Sequence, residues 1–513
     1  MWRWTVWAGS PCPRRCRKIE KVLRMIDTHC HLDMFPEFAE SSGKGNGFGG
    51  DSRDAVIHRA KEAGLEAIIT IGSDFESNFA NIAIAGKYEM VYASVGLHPH
   101  DAKDFTEEIY NQLKEWGTNP PSPPLTKGGQ GGINSSLVTR HSSLNKVVAI
   151  GETGLDYHYD HSPRDNQREV FRKHLALAGN TGLPAVIHSR EAKKDTLEIL
   201  AESGITKGVL HCFSGDMDMA ERVMEMGLYI SIAGPVTFKN AKELAEIAKE
   251  IPDDYLLIET DAPYLAPEPM RGKRNEPSCI VHTVRRLAEL RGVSEEDIAR
   301  VTTVNARRLF GIGGLPPKGE IAYRIRDSLY LNITNRCTNR CSFCVRFHSD
   351  YVKGHNLRLP EEPTEEELKE AIGDPSQHRE IVFCGYGEPL LRLDTVRNIA
   401  QWIKEKGGRV RINTNGHGNL IHKRNILSEL RGIVDSVSVS LDAQDEETYN
   451  RICAPSFGSA FQEVLSFIRE AKAYIPHVQA TVVEMEGVDV EKCRKIADEL
   501  GVTLRVRKLD IVG

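Results

Sequence analysis

Eight short apolar segments alternate with helical patterns through the first half of the chain, and this alternation constrains the fold more than any other feature. Each segment is followed by small or polar residues, and they occupy residues 25–31, 66–72, 90–96, 146–151, 184–188, 208–211, 228–233 and 255–260. Helical patterns lie between most of them, for example at 164–179 and 241–249. Alternating strands and helices favour a parallel sheet, and eight such units predict a closed (β/α)8 barrel of the TIM type.

A second series of strands and helices follows a seam rich in glycine and proline at residues 311–320. Its six predicted strands occupy residues 328–334, 379–384, 409–414, 436–441, 477–484 and 504–508. Six units predict a partial (β/α)6 barrel. We therefore expect an α/β protein of two domains, at 25–314 and 325–513, joined by a linker at 315–324.

Two other stretches lack apolar periodicity. Residues 1–24 show no clear period, and we interpret them as a disordered leader or as the product of a start codon assigned too early. Residues 118–144 are dense in proline, glycine and serine and cannot bury a core. They predict a disordered insertion in a surface loop between the third and fourth strands.

Composition restricts the class of protein. The 66 basic and 72 acidic residues give a net charge of −6, which argues against a broadly basic surface for nucleic acid but leaves room for a local basic cleft. Eleven cysteines, an odd number and mostly scattered, indicate a reducing compartment and favour metal ligands or packing thiols over disulfides. No apolar run reaches the length of about 18 residues that a membrane span needs, so we expect no membrane span. The cysteine usage leads us to expect a cytoplasmic protein.

Ligand-type side chains occur where the predicted strands of the first half end. Residues two apart in a strand face the same side, so two histidines at the end of the first strand both face the barrel mouth. Imidazoles and carboxylates are ligands for Zn, Mn, Mg or Fe, and the active sites of such barrels lie at their C-terminal face. Packing explains the set poorly because buried polar groups need partners. The candidate ligands are His29, His31, Glu152, His188, His211 and Asp261.

The stretches IDTHCHLD, GLHPH, IGETGLDYH, HSR, HCFSG and ETDAPYLAP resemble, in this order, TatD-family metal-dependent deoxyribonucleases of the amidohydrolase superfamily. The resemblance covers roughly residues 25–314 apart from the insertion. It implies that the same six residues bind two divalent ions of the Mg, Mn or Zn type, bridged by Glu152, and that DNA is the substrate. Two ions about 3.5–4 Å apart activate a water and stabilise an in-line phosphodiester displacement, and Asp261 would orient or deprotonate that water.

A phosphate site also needs cations away from the metals. Arg190, Arg271 and Arg274 are candidates because arginine binds phosphate in a bidentate way, although each is equally well explained as a solvated loop charge. His98 in GLHPH is a substrate or proton-donor candidate, with a structural role left open. The alternative function is hydrolysis of a small ester, amide or aminoacyl-type substrate, which the same metals suit and which the net charge does not oppose.

The second half carries Cys337, Cys341 and Cys344 in the spacing CxxxCxxC. Three thiolates on one loop after a strand are a ligand set for three irons of a [4Fe–4S] cluster. A zinc site with a fourth ligand such as His348 is the alternative.

Together with CGYGEP, INTNG and SVSLDA, this cysteine motif resembles the radical S-adenosylmethionine superfamily from residue 327 to about residue 513. The resemblance implies a cluster whose open iron chelates S-adenosyl-L-methionine, and a flavodoxin- or ferredoxin-like electron donor. Reductive cleavage would yield a 5′-deoxyadenosyl radical that acts on a substrate the sequence does not identify. A regulatory iron–sulfur domain is the alternative.

The same resemblance implies cofactor contacts from residues of the three strand-end motifs. One departure from the superfamily pattern is Tyr386, which interrupts the usual GGE run. The implied cofactor-binding residues are Gly385, Gly387, Glu388, Asn415, Ser440 and Asp442.

Overall fold

The computed structural model describes residues 23–37, 51–118, 146–315 and 319–509. The predicted leader up to residue 22 and the predicted insertion from residue 119 onward lie outside the described residues. Among the described residues, no helix combines the length and the apolar character that crossing a bilayer requires.

The first half contains eight parallel strands in the sheet order β1 to β8. The strands are β1 Met25–Cys30, β2 Leu65–Ile71, β3 Val91–Val95, β4 Val147–Asp156, β5 Ala185–Arg190, β6 Gly208–Leu210, β7 Tyr229–Ile232 and β8 Leu256–Ile258. The helices are α1 Arg53–Glu62, α2 Phe75–Lys87, α3 Glu107–Thr118, α4 Arg164–Thr181, α5 Lys193–Ser203, α6 Met217–Glu225, α7 Lys242–Glu250, α8 Ile280–Arg291 and α9 Glu295–Phe310.

Main-chain hydrogen bonds join the two ends of this sheet. The Asp261 N–H donates to the His29 carbonyl at 2.9 Å, and the His31 N–H donates to the Ala262 carbonyl at 2.8 Å. Both contacts link the end of β1 to the segment that follows β8. The predicted barrel of TIM type is thereby confirmed.

The barrel has two apolar layers. One lies between the strands and the surrounding helices. The other fills the barrel interior, where Ile69, Val186 and Leu257 meet Leu309 and Phe310 from the end of α9. Because α9 closes the side where the strands begin, the opposite mouth, where the strands end, is left for polar side chains.

The second half forms a seven-stranded sheet in the order β17-β16-β15-β14-β13-β10-β9 and a separate two-stranded hairpin. Its strands are β9 Ala322–Ile325, β10 Ser328–Leu331, β11 Tyr351–Val352, β12 His355–Asn356, β13 Ile381–Phe383, β14 Val410–Thr414, β15 Ser436–Ser440, β16 His477–Glu484 and β17 Thr503–Lys508. Its helices are α10 Glu365–Ile372, α11 Leu393–Glu405, α12 Gly418–His422, α13 Leu427–Leu430, α14 Glu446–Cys453, α15 Ala460–Ala471 and α16 Val490–Leu500.

All six strands predicted for this half are present and parallel, and they form the expected partial barrel. Two features extend beyond the sequence prediction. Strand β4 continues to Asp156, past the predicted end at residue 151. Strand β9 pairs antiparallel with β10, although most of it lies in the stretch expected to be a linker.

The two halves meet at the side of the first barrel where its strands begin. The Lys353 ammonium lies 3.0 Å from the carboxylate of Asp253, which precedes β8. On α9, Arg300 donates to the Lys353 carbonyl at 2.9 Å, and Arg308 donates to the Ser349 hydroxyl at 3.2 Å. These contacts lie opposite the mouth of the first barrel.

Candidate metal and cluster sites

The six ligand candidates of the first barrel converge at its mouth. His29, Glu152 and His188 lie within β1, β4 and β5, whereas His31, His211 and Asp261 follow β1, β6 and β8. Parallel strands bring their carboxyl ends to one rim, so residues far apart in sequence become neighbours. Three overlapping groups of three ligand atoms lie within 4.8 Å of one another, and together they include all six candidates and His98.

Glu152 divides the histidines into two sets. Its Oε2 lies 3.4 Å from His29 Nε2. Its Oε1 lies 3.0 Å from His188 Nδ1, 2.8 Å from His211 Nε2 and 3.4 Å from His98 Nε2. One carboxylate oxygen therefore faces each set, which is the arrangement that a carboxylate shared by two cations requires.

Asp261 completes the first set. Its Oδ1 lies 3.6 Å from the Nε2 atoms of both His29 and His31. His29 is fully buried, and neither of its ring nitrogens has a hydrogen-bond partner among the described residues; His31 Nδ1 is also buried without one. Because unpartnered buried nitrogens are costly, this donor set fits a bound cation better than it fits a closed polar network.

The electrostatics of the cluster favour an ionised Glu152 and a neutral His29, whereas the neighbouring carboxylates outweigh burial and raise the pKa of His31, His188 and His211. Burial by itself would raise the pKa of the Glu152 carboxyl, but the surrounding imidazoles, His211 foremost, hold that pKa well below its usual range. Burial, reinforced by His211, lowers the pKa of His29 and favours its neutral form. An ionised carboxylate and a neutral imidazole are the states that coordinate divalent ions.

Two carboxylates behind the histidines have roles that the sequence analysis did not assign. Asp156 Oδ2 lies 3.3 Å from His188 Nε2, and Glu259 Oε1 lies 3.4 Å from His211 Nδ1. A carboxylate on the far nitrogen fixes the orientation and tautomer of a ligating histidine. Both residues lie in quoted motifs, four positions after Glu152 and two before Asp261, and that placement was the available signal.

The phosphate candidates surround the mouth and lie against aromatic rings. The guanidinium of Arg190 lies 4.8 Å from the Tyr159 ring centroid, that of Arg271 lies 4.4 Å from Phe238, and that of Arg274 lies 4.1 Å from Phe35. Tyr159 and Tyr264 are each 50% exposed. The Tyr264 ring lies 6.0 Å from that of His31, so an exposed aromatic surface borders the ligand cluster directly.

The cysteine loop of the second half follows β10. Cys337, Cys341 and Cys344 do not belong to any group of three ligand atoms within 4.8 Å of one another in the described part of the chain. A tetrahedral zinc ion with Zn–S bonds near 2.3 Å holds its sulfur atoms closer together than that. At least one pair of these sulfur atoms is therefore farther apart than a shared zinc ion would hold them. Burial raises the pKa of Cys337 to about 12, with Glu388 adding to the rise, so that thiol stays protonated until a cation binds.

The glycines of the CGYGEP motif pack directly against the segment after β10. A Cβ on Gly387 would lie 2.3 Å from the Arg336 carbonyl oxygen, and one on Gly385 would lie 2.6 Å from Asn332 Oδ1. Gly385 also has a φ of +133°, which side chains rarely adopt. Only glycine permits this close approach, which brings the motif next to the cysteine loop.

The Glu388 carboxylate is already engaged by the chain. It accepts hydrogen bonds from Leu390 N at 2.9 Å, from the Thr414 hydroxyl at 2.9 Å and from Asn415 N at 2.7 Å. Burial raises the pKa of Glu388 to about 7 against these hydrogen bonds. Oε2 accepts a single bond, so one lone pair remains for the amino group of a ligand.

Tyr386, the departure from the superfamily pattern, has a structural explanation. Its hydroxyl lies 3.0 Å from the Ser349 carbonyl, 3.3 Å from the Arg346 carbonyl and 3.2 Å from Asp350 Oδ1. The tyrosine therefore connects the CGYGEP turn to the segment that follows the last cysteine.

The remaining cofactor candidates lie at the ends of β14 and β15. Asn415 donates to the Thr338 hydroxyl at 2.8 Å and lies 3.8 Å from Cys337 Sγ, so it touches the cysteine loop. Ser440 ends β15, and Asp442 follows it. Asp442 is 4% exposed, its Oδ1 has no hydrogen-bond partner in the described part of the chain, and burial raises its pKa to about 6.

Comparison with known families matches the two halves separately. The family model described as TatD related DNase matches residues 26–311, and the model described as Radical SAM superfamily matches residues 331–500. Both resemblances in the sequence are thereby confirmed.

Individual relatives match the first half. YabD of Bacillus subtilis, named an uncharacterized metal-dependent hydrolase, is 43% identical over 290 residues, which cover 56% of this chain and 99% of that protein. A protein of Erwinia tasmaniensis named 3′-5′ ssDNA/RNA exonuclease TatD is 33% identical over 268 residues, which cover 51% of this chain and 94% of that protein. The crystal structure of YjjV, a TatD homologue of Escherichia coli K12, shares 29% identity and covers 57% of this chain and 100% of its own, with a TM-score of 0.47.

Proposed function

We propose, on the premise that this chain belongs to the TatD family through residues 26–311, that its barrel hydrolyses phosphodiester bonds of single-stranded DNA. The chain is a metal-dependent hydrolase joined to a radical SAM domain. What is proposed is the substrate of the first half, the ligand set of its two cations, and the chemistry of the second half.

One observation carries the choice of substrate: exposed aromatic rings and arginines surround the ligand cluster. Tyr264 adjoins His31, and on the other side Tyr159 adjoins His100, with ring centroids 5.5 Å apart. Unpaired bases stack on aromatic faces and on guanidinium planes, whereas paired bases have no free face to offer. A site for a small ester is ordinarily an enclosed, mostly apolar pocket.

The residues of the mouth supply the remaining parts of a phosphodiesterase. Two divalent ions held by the six ligand candidates and His98 would activate a water and stabilise both oxygens of an in-line displacement. Asp261 stays ionised because His31 and its neighbours outweigh burial and lower its pKa, so its carboxylate can accept a proton from that water. Arg190 would hold a flanking phosphate.

For the second half we propose a radical SAM enzyme whose cluster is reduced by an external flavodoxin- or ferredoxin-like protein. A cluster held by Cys337, Cys341 and Cys344 would supply the electron that splits S-adenosyl-L-methionine into methionine and a 5′-deoxyadenosyl radical. Glu388 and Asn415 would orient the cofactor beside the cysteine loop, which both already approach. The proximity of Asn415 to Cys337 supports this assignment.

The test compares end-labelled single-stranded DNA, the same strand in a duplex, and p-nitrophenyl acetate as a small ester. We expect Mn²⁺- or Mg²⁺-dependent cleavage of the single strand, much weaker cleavage of the duplex, and no ester hydrolysis above background.

Tyr264→Ala should raise KM for the single strand about tenfold, because stacking contributes roughly 1–3 kcal/mol per base. Phe347→Ala, which removes an equally exposed ring from the second half, is the matched control. Ester hydrolysis that is insensitive to Tyr264→Ala would favour the small-substrate alternative.

A further inference from the structure

The concave face of the half-barrel is polar where it is formed by β14 to β17. Successive side chains of a strand point to opposite faces. Ile412, Val439 and Val482 pack into the core between the sheet and its helices. The residues that alternate with them therefore line the concave face, and the interior of a parallel barrel is ordinarily filled by Val, Ile and Leu.

Strand register arranges these polar residues in layers. Asn413, Ser438 and Gln479 are consecutive partners across β14, β15 and β16. The Ser438 hydroxyl donates to Gln479 Oε1 at 3.3 Å. One step closer to the carboxyl ends, Ser440 and Thr481 are partners across β15 and β16. Hydrogen-bonding groups thus extend from the sheet centre to the end of the sheet that carries the cysteine loop.

Three arginines lie on this face; Arg505 is exposed, and the other two differ in how their charge is balanced. Arg411 is fully engaged: its guanidinium lies 3.0 Å from a Glu380 oxygen and donates to Asn413 Oδ1 at 2.7 Å. Arg507 lies on β17 beside Val483. Among the described residues no carboxylate lies within 4.0 Å of its guanidinium, and its buried Nε has no acceptor.

Asp442 is a second unsatisfied group at the same end of the sheet. It follows β15, is 4% exposed, and keeps a buried Oδ1 without a donor. Its charge interacts with Arg507, although the two do not form an ion pair. A buried donor and a buried acceptor that do not satisfy each other are costly unless a bound group supplies the missing hydrogen bonds.

We infer that the radical half acts on a small molecule that carries a carboxylate or phosphate group, which Arg507 binds at the mouth of the half-barrel. An arginine offers Nε and Nη as a fork that matches both anions in a bidentate way. Asn413, Ser438 and Gln479 line the space below for the neutral polar part of the substrate. This inference rests on the proposed function, because it concerns the substrate of the same radical chemistry.

The test uses the full chain, anaerobically loaded with iron, sulfide and S-adenosyl-L-methionine. Hydrogen–deuterium exchange is followed for peptides that cover β16 and β17, with two pairs of probes. Deoxycytidine 5′-monophosphate is compared with deoxycytidine, and glutarate with glutaramide. We expect the charged member of at least one pair to slow exchange in these peptides and its neutral partner to leave exchange unchanged. The pair that responds identifies phosphate or carboxylate as the recognised group.

Variants at β17 locate the contact. Arg507→Gln should weaken the binding of the responding probe about tenfold or more, and Arg507→Lys should retain part of the affinity because it keeps the charge. Arg505→Gln, on the same face of β17 but exposed, is the matched control and should shift affinity less than about threefold. Equal effects of the two glutamine variants, or no response to either anion, would overturn the inference.

Two further outcomes are distinguishable. If the wild-type chain forms no 5′-deoxyadenosine under reducing conditions, the proposed function itself fails. If it forms 5′-deoxyadenosine but Arg507→Gln weakens S-adenosyl-L-methionine binding and leaves probe binding intact, Arg507 contacts the cofactor and the substrate assignment is wrong.

Discussion

The two sheets of this protein use their interiors in opposite ways. The eight-stranded barrel is filled by apolar side chains such as Ile69 and Val186 and is closed at one end by Phe310. Its polar groups are concentrated at the opposite mouth. The seven-stranded sheet is open, and its concave face carries Asn413, Gln479 and Arg507 along the strands.

Closure explains much of this difference. Eight strands leave an interior just wide enough for side chains to fill, so chemistry can occupy only the rim. The interior of an open sheet is not closed off in this way, so polar side chains can line its concave face along the strands. The first architecture suits a rigid cluster of metal ligands at a mouth, and the second suits enclosure of a small substrate beside a cofactor.

The groups that lack hydrogen-bond partners at the two sites also differ in the sign of the charge that they attract. The first mouth presents Glu152, Asp261 and imidazoles with lone pairs that lack donors, so it attracts cations. The second presents Arg507, which has no carboxylate partner among the described residues, so it attracts an anion. The predictions below test whether these two sites operate as separately as their positions indicate.

Replacing Cys337, Cys341 and Cys344 together with alanine should produce the largest difference between the activities of the two halves. We expect visible absorption, bound iron and 5′-deoxyadenosine formation to disappear, because no loop thiolate is left to hold an iron. DNA cleavage should persist, since the six ligand candidates lie before residue 262 and the contact between the halves lies opposite the mouth.

Cys493→Ala, which removes a fully buried thiol from α16, is the control and should keep its cluster. Iron–sulfur absorption in the triple variant would contradict the cluster assignment. Loss of DNA cleavage in a well-folded triple variant would instead indicate that the two halves share a substrate path.

Glu152→Ala should have the converse effect, with loss of hydrolysis in the first half and no loss of activity in the second half. It removes the carboxylate whose two oxygens each face one histidine set, so hydrolysis should fall about a thousandfold or more, together with divalent metal content. Formation of 5′-deoxyadenosine should not change. Metal analysis and cleavage of labelled single-stranded DNA measure the effect, and Glu202→Ala on the surface of α5 is the control. A variant with wild-type metal content and activity would exclude the bridging role.

Glu259→Gln should give a smaller loss of metal affinity, and this loss should be confined to the first barrel. Glutamine keeps an oxygen to accept the hydrogen bond from Cys212 N, but it removes the negative charge behind His211. Loss of such a partner typically costs 10–100-fold in metal affinity. Titration with Mn²⁺ measures the change against Glu246→Gln, an exposed substitution on α7. Equal affinities in the two variants would mean that His211 is oriented by other contacts.

The positions of the strands and of the six ligand candidates could be predicted from the sequence because both depend on local pattern. Apolar runs define the strands, and parallel topology then brings their ends together without further information. Asp156 and Glu259 could not be assigned in this way, since each acts through a histidine that is distant in sequence. The extension of β4 was missed because Gly151 and Gly154 interrupt its apolar run.

Arg507 illustrates a different limit of sequence analysis. The alternation in TLRVRK predicts that β17 has one polar face. Whether that face is concave depends on the side against which the helices pack, and only the packing of Val506 against the core decides it. Likewise, Tyr386 is only a departure from a motif until the structure brings its hydroxyl to the Ser349 carbonyl.

Arg308→Gln should have the smallest effect, and it tests one of the contacts between the two halves. Arg308 stacks on Tyr351 at 4.4 Å and donates to the Ser349 hydroxyl, while the Ser349 carbonyl accepts from Tyr386 beside the CGYGEP turn. A partly exposed cation–π contact and one hydrogen bond contribute about 1 kcal/mol, so the affinity for S-adenosyl-L-methionine should fall about threefold to fivefold. Hydrolysis should stay within twofold of wild type, because Arg308 lies on the side of the barrel away from the mouth.

Arg307→Gln is the matched control. Arg307 is the preceding residue of α9 but pairs with Glu66 inside the first half at 2.6 Å, so its substitution should leave cofactor affinity unchanged. Equal losses in the two variants would mean that α9 acts through general stability, and a loss of hydrolysis in Arg308→Gln alone would mean that the contact couples the two sites.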